Sequence, residues 1–194
     1  MKITPAADYK ELHELPEMAF TYIKMPLANT CVLILVGALI LQYALTMYFI
    51  TMAARLKCFN KEYMLQFAEE HAKAFPERPK VPQFGYPDSG YGWYGRRLPY
   101  LDWIKMNSGQ RAQLNMFEQL SYMVVTSLVA AWYYPWVSFS FLMAYFLGKV
   151  WYSIGYTCCG PMWRIPGALI NDLVFVAQFI LAVVSASVAL YNDW

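Results

Sequence analysis

The chain has 194 residues, of which 59% are hydrophobic and only 14% charged, against roughly 25% charged in a typical soluble domain. That shortfall argues against an ordinary water-soluble enzyme, and a net charge of +2 gives no basis for a nucleic-acid partner. Three stretches, 26–54, 119–148 and 173–192, contain no Asp, Glu, Lys or Arg. The chain is therefore two materials, one suited to lipid and one of ordinary polarity.

An uncharged apolar run of about 20 residues matches the hydrocarbon thickness of a bilayer. Three of them in so short a chain point to membrane spans rather than to buried helices of a soluble protein. Residues 1–25 read as an N-terminal extension; Asp8, Glu11, Glu14 and Glu17 set it apart from an Arg-rich transit peptide or a short basic leader. Residues 26–54 form the first span, closed by Arg55 and Lys57. A long loop over 56–106 follows. It is too rich in proline after residue 75 for a long helix, while 61–75 suits a short surface helix.

The middle run is the informative one. Its 30 residues would make a helix of about 45 Å, longer than a core of about 30 Å. Tyr133-Tyr134-Pro135-Trp136 reads as a turn at a membrane face, so the run folds back at Pro135 into two helices. Neither is long enough alone. The spans, about 111–134 and 136–157, must take in Arg111, Asn115 and Glu118 on one helix and Lys149, Tyr152 and Tyr156 on the next. A last span covers 168–192. The expected fold is an all-α integral membrane protein: a four-transmembrane-helix bundle, 26–194, with a long first inter-helix loop.

Ionisable residues inside a span usually face the bundle interior or a polar cavity. Arg111, Asn115 and Glu118 fall at i, i+4 and i+7, and Lys149, Tyr152 and Tyr156 at i, i+3 and i+7, each set on one helix face. Two antiparallel neighbours would bring these stripes to one level, making a polar pocket; the alternative is a Glu118–Lys149 pair that only locks helices together. The 55–111 segment holds ten of the fifteen Lys and Arg residues, which places that side in the cytoplasm or mitochondrial matrix. Cys31, Cys58, Cys158 and Cys159 show no metal-binding spacing, and His13 and His71 stand alone, so no metal site is expected.

The string Asn107-Ser-Gly-Gln110-Arg111-Ala112-Gln113-Leu-Asn115-Met-Phe-Glu118 resembles the second-helix signature of the MAPEG family, the membrane-associated proteins of eicosanoid and glutathione metabolism. Gly148-Lys149-Val150-Trp-Tyr152-Ser-Ile-Gly155-Tyr156, followed by Gly160-Pro161, Arg164 and Gly167-Ala168-Leu169, is similar to the third helix and loop of the microsomal glutathione transferase type 3 branch. Leu41-Gln42 and Arg55 agree more loosely with the first helix. The resemblance implies a homotrimer binding glutathione, as co-substrate, in clefts between subunits. By position it makes Arg55, Arg111, Asn115, Glu118, Lys149, Tyr152 and Tyr156 the binding shell and Arg164 the catalytic residue that activates the thiol. The residue types suit that chemistry: guanidinium groups grip carboxylates, Glu118 can hold an ammonium, and a cation beside sulfur favours the thiolate.

Three features depart from the family's pattern. Position 119 is Gln where several relatives have an aromatic residue. Arg164 stands eight residues beyond Tyr156, an offset of the type 3 branch, whereas the leukotriene-forming synthases place it nearer. The first loop is about twice as long as in relatives, and reads as a surface insertion, a docking surface for a protein partner, or a lid or plug over the cleft. Two functions follow. One is a membrane glutathione transferase or peroxidase acting on lipid electrophiles or lipid hydroperoxides, in the endoplasmic reticulum or a mitochondrial membrane. The other is a non-catalytic protein of the same fold, an accessory subunit of a larger membrane complex or a lipid-presenting protein.

Overall fold

The computed structural model describes residues 25–192; the expected N-terminal extension, with His13, lies outside them but for Met25. Among the described residues all regular structure is helical. Helix α1, Leu27–Cys58, is continuous but widens into π turns over Thr46–Met52. There the Thr46 hydroxyl donates to the Gln42 carbonyl at 2.9 Å, competing with the helical ladder. Two short helices follow, α2 Lys61–Leu65 and α3 Ala68–Ala74, where a single surface helix over 61–75 is expected from sequence. Asn60 caps α2 by accepting from the Tyr63 amide. The break falls at Phe67, whose buried ring packs edge-on against Tyr63 and Tyr94.

Helix α4, Tyr100–Ala130, starts eleven residues before the expected 111, so the first loop ends at Pro99 and not at 106. Charged residues do not stop this helix because its first turns face the loop. Asn107 Nδ2 donates to the Trp103 and Gly90 carbonyls, both at 2.9 Å. The turn is Ala131–Tyr134, and Pro135 is the first residue of α5, Pro135–Ile154, where a missing N–H costs nothing. That helix runs on as a π turn to Cys159. After Gly160, at φ +103°, a short 3₁₀ turn Pro161–Arg164 leads into α6, Ile165–Asn192, beginning before the expected 168.

The four long helices, each antiparallel to the next along the chain, pack around Val32, Leu39, Met116, Met123, Leu142 and Tyr145. Inside the uncharged segments the helices are tied by neutral polar groups. Asn29 donates to the Ala131 carbonyl, Gln178 to Ser138 Oγ, and Ser185 to the Val129 carbonyl, each at 2.8 Å. Helices α5 and α6 touch backbone to backbone at Gly148 and Gly167. A Cβ on Gly167 would lie 2.7 Å from the Gly148 carbonyl oxygen, the close approach that small residues allow between membrane helices. By length and composition α1, α5 and α6 can each cross a membrane; α4 packs alongside them with a polar first half.

The first loop folds around two residues at opposite ends of one hydrogen-bond chain. Asp88 is buried, and its carboxylate accepts from the amides of Gly90, Gly92 and Gly95 at 2.7, 2.8 and 2.7 Å. Gly92 and Gly95 have no room for a Cβ, because one on Gly92 would meet the Asp88 carboxylate and one on Gly95 the Gly90 carbonyl. The Asp88 carbonyl in turn takes a 2.7 Å bond from Arg55 at the end of α1, and the Phe84 carbonyl takes another at 3.1 Å. Outside this chain, Glu70 accepts from the Trp93 indole and from Arg97, both at 2.9 Å. The indole bond first, then the Arg97 bond, holds the Glu70 carboxyl below the ordinary carboxylate range.

Replacing Asp88 by Ala would strand three amide donors, each costing about 1–3 kcal/mol when buried. The expected outcome is fast hydrogen exchange over residues 83–98 with unchanged helical circular dichroism. For Glu70 the folded form is the more acidic. Its contribution is therefore full above the unfolded carboxyl pKa and fades as the pH falls through the lower folded value. Exchange protection at Trp93–Arg97 should drop across that acidic window in the parent and stay flat in Glu70→Gln.

Candidate functional site

The residues singled out from sequence gather at the loop end of the bundle, but they divide between the protein's interior and its outer face. The division follows from helix geometry. Successive residues turn by about 100°, so Asn115 and Gln119 lie about 40° apart on α4, while Glu118 stands about 100° from Gln119. Helix α4 turns its Asn115–Gln119 edge toward α5 and sends Arg111 and Glu118 outward.

Lys149 is fully buried. Its ammonium donates to Asn115 twice, at 2.7 Å to Oδ1 and 3.1 Å to the carbonyl, and to Gln119 Oε1 at 2.8 Å. All three N–H donors are thereby used, and Tyr145 and Tyr152 present their rings 5.1 and 5.8 Å away. The Tyr145 hydroxyl donates to the same Gln119 oxygen at 3.2 Å, and Gln119 Nε2 reaches Asp172 on α6 at 3.2 Å. The Glu118–Lys149 pair considered from sequence does not form. Glu118 sits 3.6 Å from Arg111 with both side chains about half exposed.

Arg55 is also enclosed, at 6% exposure. Besides its two loop carbonyls it lies against the Tyr86 ring, 4.4 Å from the centroid. Its cationic face is thus covered by the first loop. Tyr152 is buried and meets Tyr156 edge-on at 5.7 Å. Arg164, on the turn before α6, stacks on Tyr156 at 5.2 Å and forms no ion pair among the described residues.

Three residues escape the sequence reading and prove central. Gln119 stands out in sequence only as a departure from the resemblance, yet it links α4, α5 and α6. Asp172 immediately precedes the last uncharged run, and its signal is that it is the final carboxylate before 20 residues without charge. Asp88, among glycines and aromatics, carries a recognisable pattern of closely spaced turn residues but no hint of burial. Among the described residues no three His, Cys, Asp or Glu side chains converge as metal ligands, and all four cysteines are free thiols.

At the loop end of the bundle Arg111 and Glu118 are exposed, and Tyr156 and Arg164 are half-buried. No curated protein matches the chain. The MAPEG family model matches residues 30–184, well over half of the chain and every long helix described above. With its bundle of long apolar helices, the chain belongs to the MAPEG family, membrane proteins among which are glutathione transferases and peroxidases.

Proposed function

We propose that the chain is a membrane glutathione transferase or peroxidase of the type 3 kind, acting on lipid-soluble electrophiles or lipid hydroperoxides with Arg164 holding the thiolate. The observation that carries this reading is the placement of Arg164, stacked on Tyr156, without a carboxylate partner among the described residues, and at the same end as Arg111 and Glu118. Glutathione supplies the nucleophilic sulfur. Arg164 lowers the energy of its ionised form, Arg111 answers a carboxylate, and Glu118 answers the amino group. Tyr152 and Tyr156 form the wall between them. Asn115 and Lys149 act from behind, because each is already spent on the other; they fix the pitch of the wall rather than grip the tripeptide.

In this reading α4 is the fourth span, the loop end faces the cytoplasm or the mitochondrial matrix, and the membrane is that of the endoplasmic reticulum or the mitochondrion. A homotrimer closes each site with a neighbour's surface. The outward position of Arg111 and Glu118 supports such a shared cleft, since a charged pair at this depth needs cover from lipid.

A second reading has its own observation. Arg55, a glutathione contact by resemblance, is bound by the backbone of the first loop and covered by Tyr86. That suits a non-catalytic accessory subunit of a larger membrane complex, or a lipid-presenting protein, in which the loop plugs the cleft.

Glutathione titration of the purified protein should give saturable thiolate absorbance in the ultraviolet. In Arg164→Ala the midpoint of the bound thiol should move up by about 1–3 pH units; no binding to the parent protein would end the enzyme reading. Asp88→Ala separates the two readings further. If the loop only shields Arg55 in an active enzyme, loosening it should tighten glutathione binding several-fold, whereas a non-catalytic subunit should bind in neither form and purify as one copy within a larger assembly.

A further inference from the structure

Apart from the cleft, the first loop encloses a cavity of about 510 Å³, within the size range of small-molecule sites. Phe59 and Met64 form its floor and are almost wholly buried. Leu65 and Phe84 stand over it with 58% and 41% of their surface exposed. Lys61 and Lys80 belong to the lining too, both exposed, and the lining contains no carboxylate. Neither lysine forms an ion pair among the described residues. The site thus joins an apolar trough to two uncompensated ammonium groups.

Its position defines what could fill it. Phe59 directly follows Cys58, the last residue of the apolar helix α1, so the trough lies just past the end of that helix. The walls are also held in shape. Pro79 and Pro82 fix their backbone on one side. Phe84, on the other, adopts φ 58°, a left-handed conformation rare for a bulky residue. The Arg55 bond to its carbonyl keeps it there.

We propose that this trough binds an anionic membrane phospholipid, one acyl chain lying along Phe59, Met64 and Leu65 and the phosphate between Lys61 and Lys80. Juxtamembrane lysines attract anionic lipid at such a surface, and the apolar floor gives the chain a place that headgroup attraction alone would not. The proposal is independent of glutathione binding. It gives the long loop a fixed seat on the membrane face, with Arg55 as the strut between the lipid trough and α1.

The test uses the full chain in nanodiscs containing a phosphatidylglycerol with a photoreactive group in its acyl chain, diluted in phosphatidylcholine. Labelling is expected on the peptides bearing Met64, Leu65 and Phe84. The preference over an equally photoreactive phosphatidylcholine should fall roughly five-fold for each lysine removed in Lys61→Gln and Lys80→Gln. Ala68→Phe, which fills the trough and leaves the charges, should abolish labelling there while labelling of α1 and α6 by surrounding lipid persists. Equal labelling by the two lipids, labelling unchanged by Ala68→Phe, or no labelling of residues 59–84 would each overturn the proposal. Helical circular dichroism of each variant identifies any that fails to fold. For such a variant, the comparison of the two lipids on the parent protein decides.

Discussion

The buried ammonium of Lys149 governs how the bundle is put together. Removing such a charge from water costs several kcal/mol unless hydrogen bonds replace the hydration it loses, and the three replacements come from α4: two from Asn115 and one from Gln119. That demand sets the rotation of α4 about its own axis. With the Asn115–Gln119 edge toward α5, Glu118 and Arg111 lie on the far side of that edge, where both side chains are about half exposed. The same Gln119 spends its amide on Asp172, so α6 is keyed to the same point. One side chain on α5 thereby fixes which polar groups line the interior and which are offered to a ligand or a neighbouring subunit.

Arg55 plays the corresponding part for the loop. It is the one arginine of α1, and a buried guanidinium needs acceptors as much as a buried ammonium does. The loop supplies two carbonyls and an aromatic face. Asp88 makes this possible by organising the glycine-rich turn behind those carbonyls. The loop, the end of α1 and the start of α4 are joined through these bonds and through Asn107, which reaches Gly90. An insertion read from sequence as long and proline-rich is in fact a small packed unit with its own core of Phe59, Met64, Phe67, Leu98 and Met106.

Much of the architecture was legible because helix length and charge are one-dimensional quantities. The fold-back at Pro135 follows from a run too long for one crossing, and the turn Ala131–Tyr134 lies beside it. The first loop's boundaries were not legible, since Asp102 and Lys105 look like loop residues in sequence. In the folded chain they sit on the first turns of α4, which Asn107 ties to the loop at Gly90. The polar stripes of α4 and α5 were legible as sets of residues, but which of their members turn inward was not. A spacing of i, i+4 and i+7 spans about 60° of helix, wide enough for Asn115 to turn inward while Arg111 and Glu118 turn out.

By itself, then, the sequence determined the all-helical membrane character, the fold-back at Pro135 and the polar residues carried on the helices at the loop end. These depend on local composition and on the fixed rise of a helix. The tertiary structure decided how those residues are spent. Asn115 and Lys149 satisfy one another, Arg55 is taken by the loop, and Arg111 and Glu118 are left exposed, with Tyr156 and Arg164 half-buried. The reason is physical: a buried charge takes whatever acceptors lie nearest in space, and the nearest ones here are 29 or more residues away along the chain.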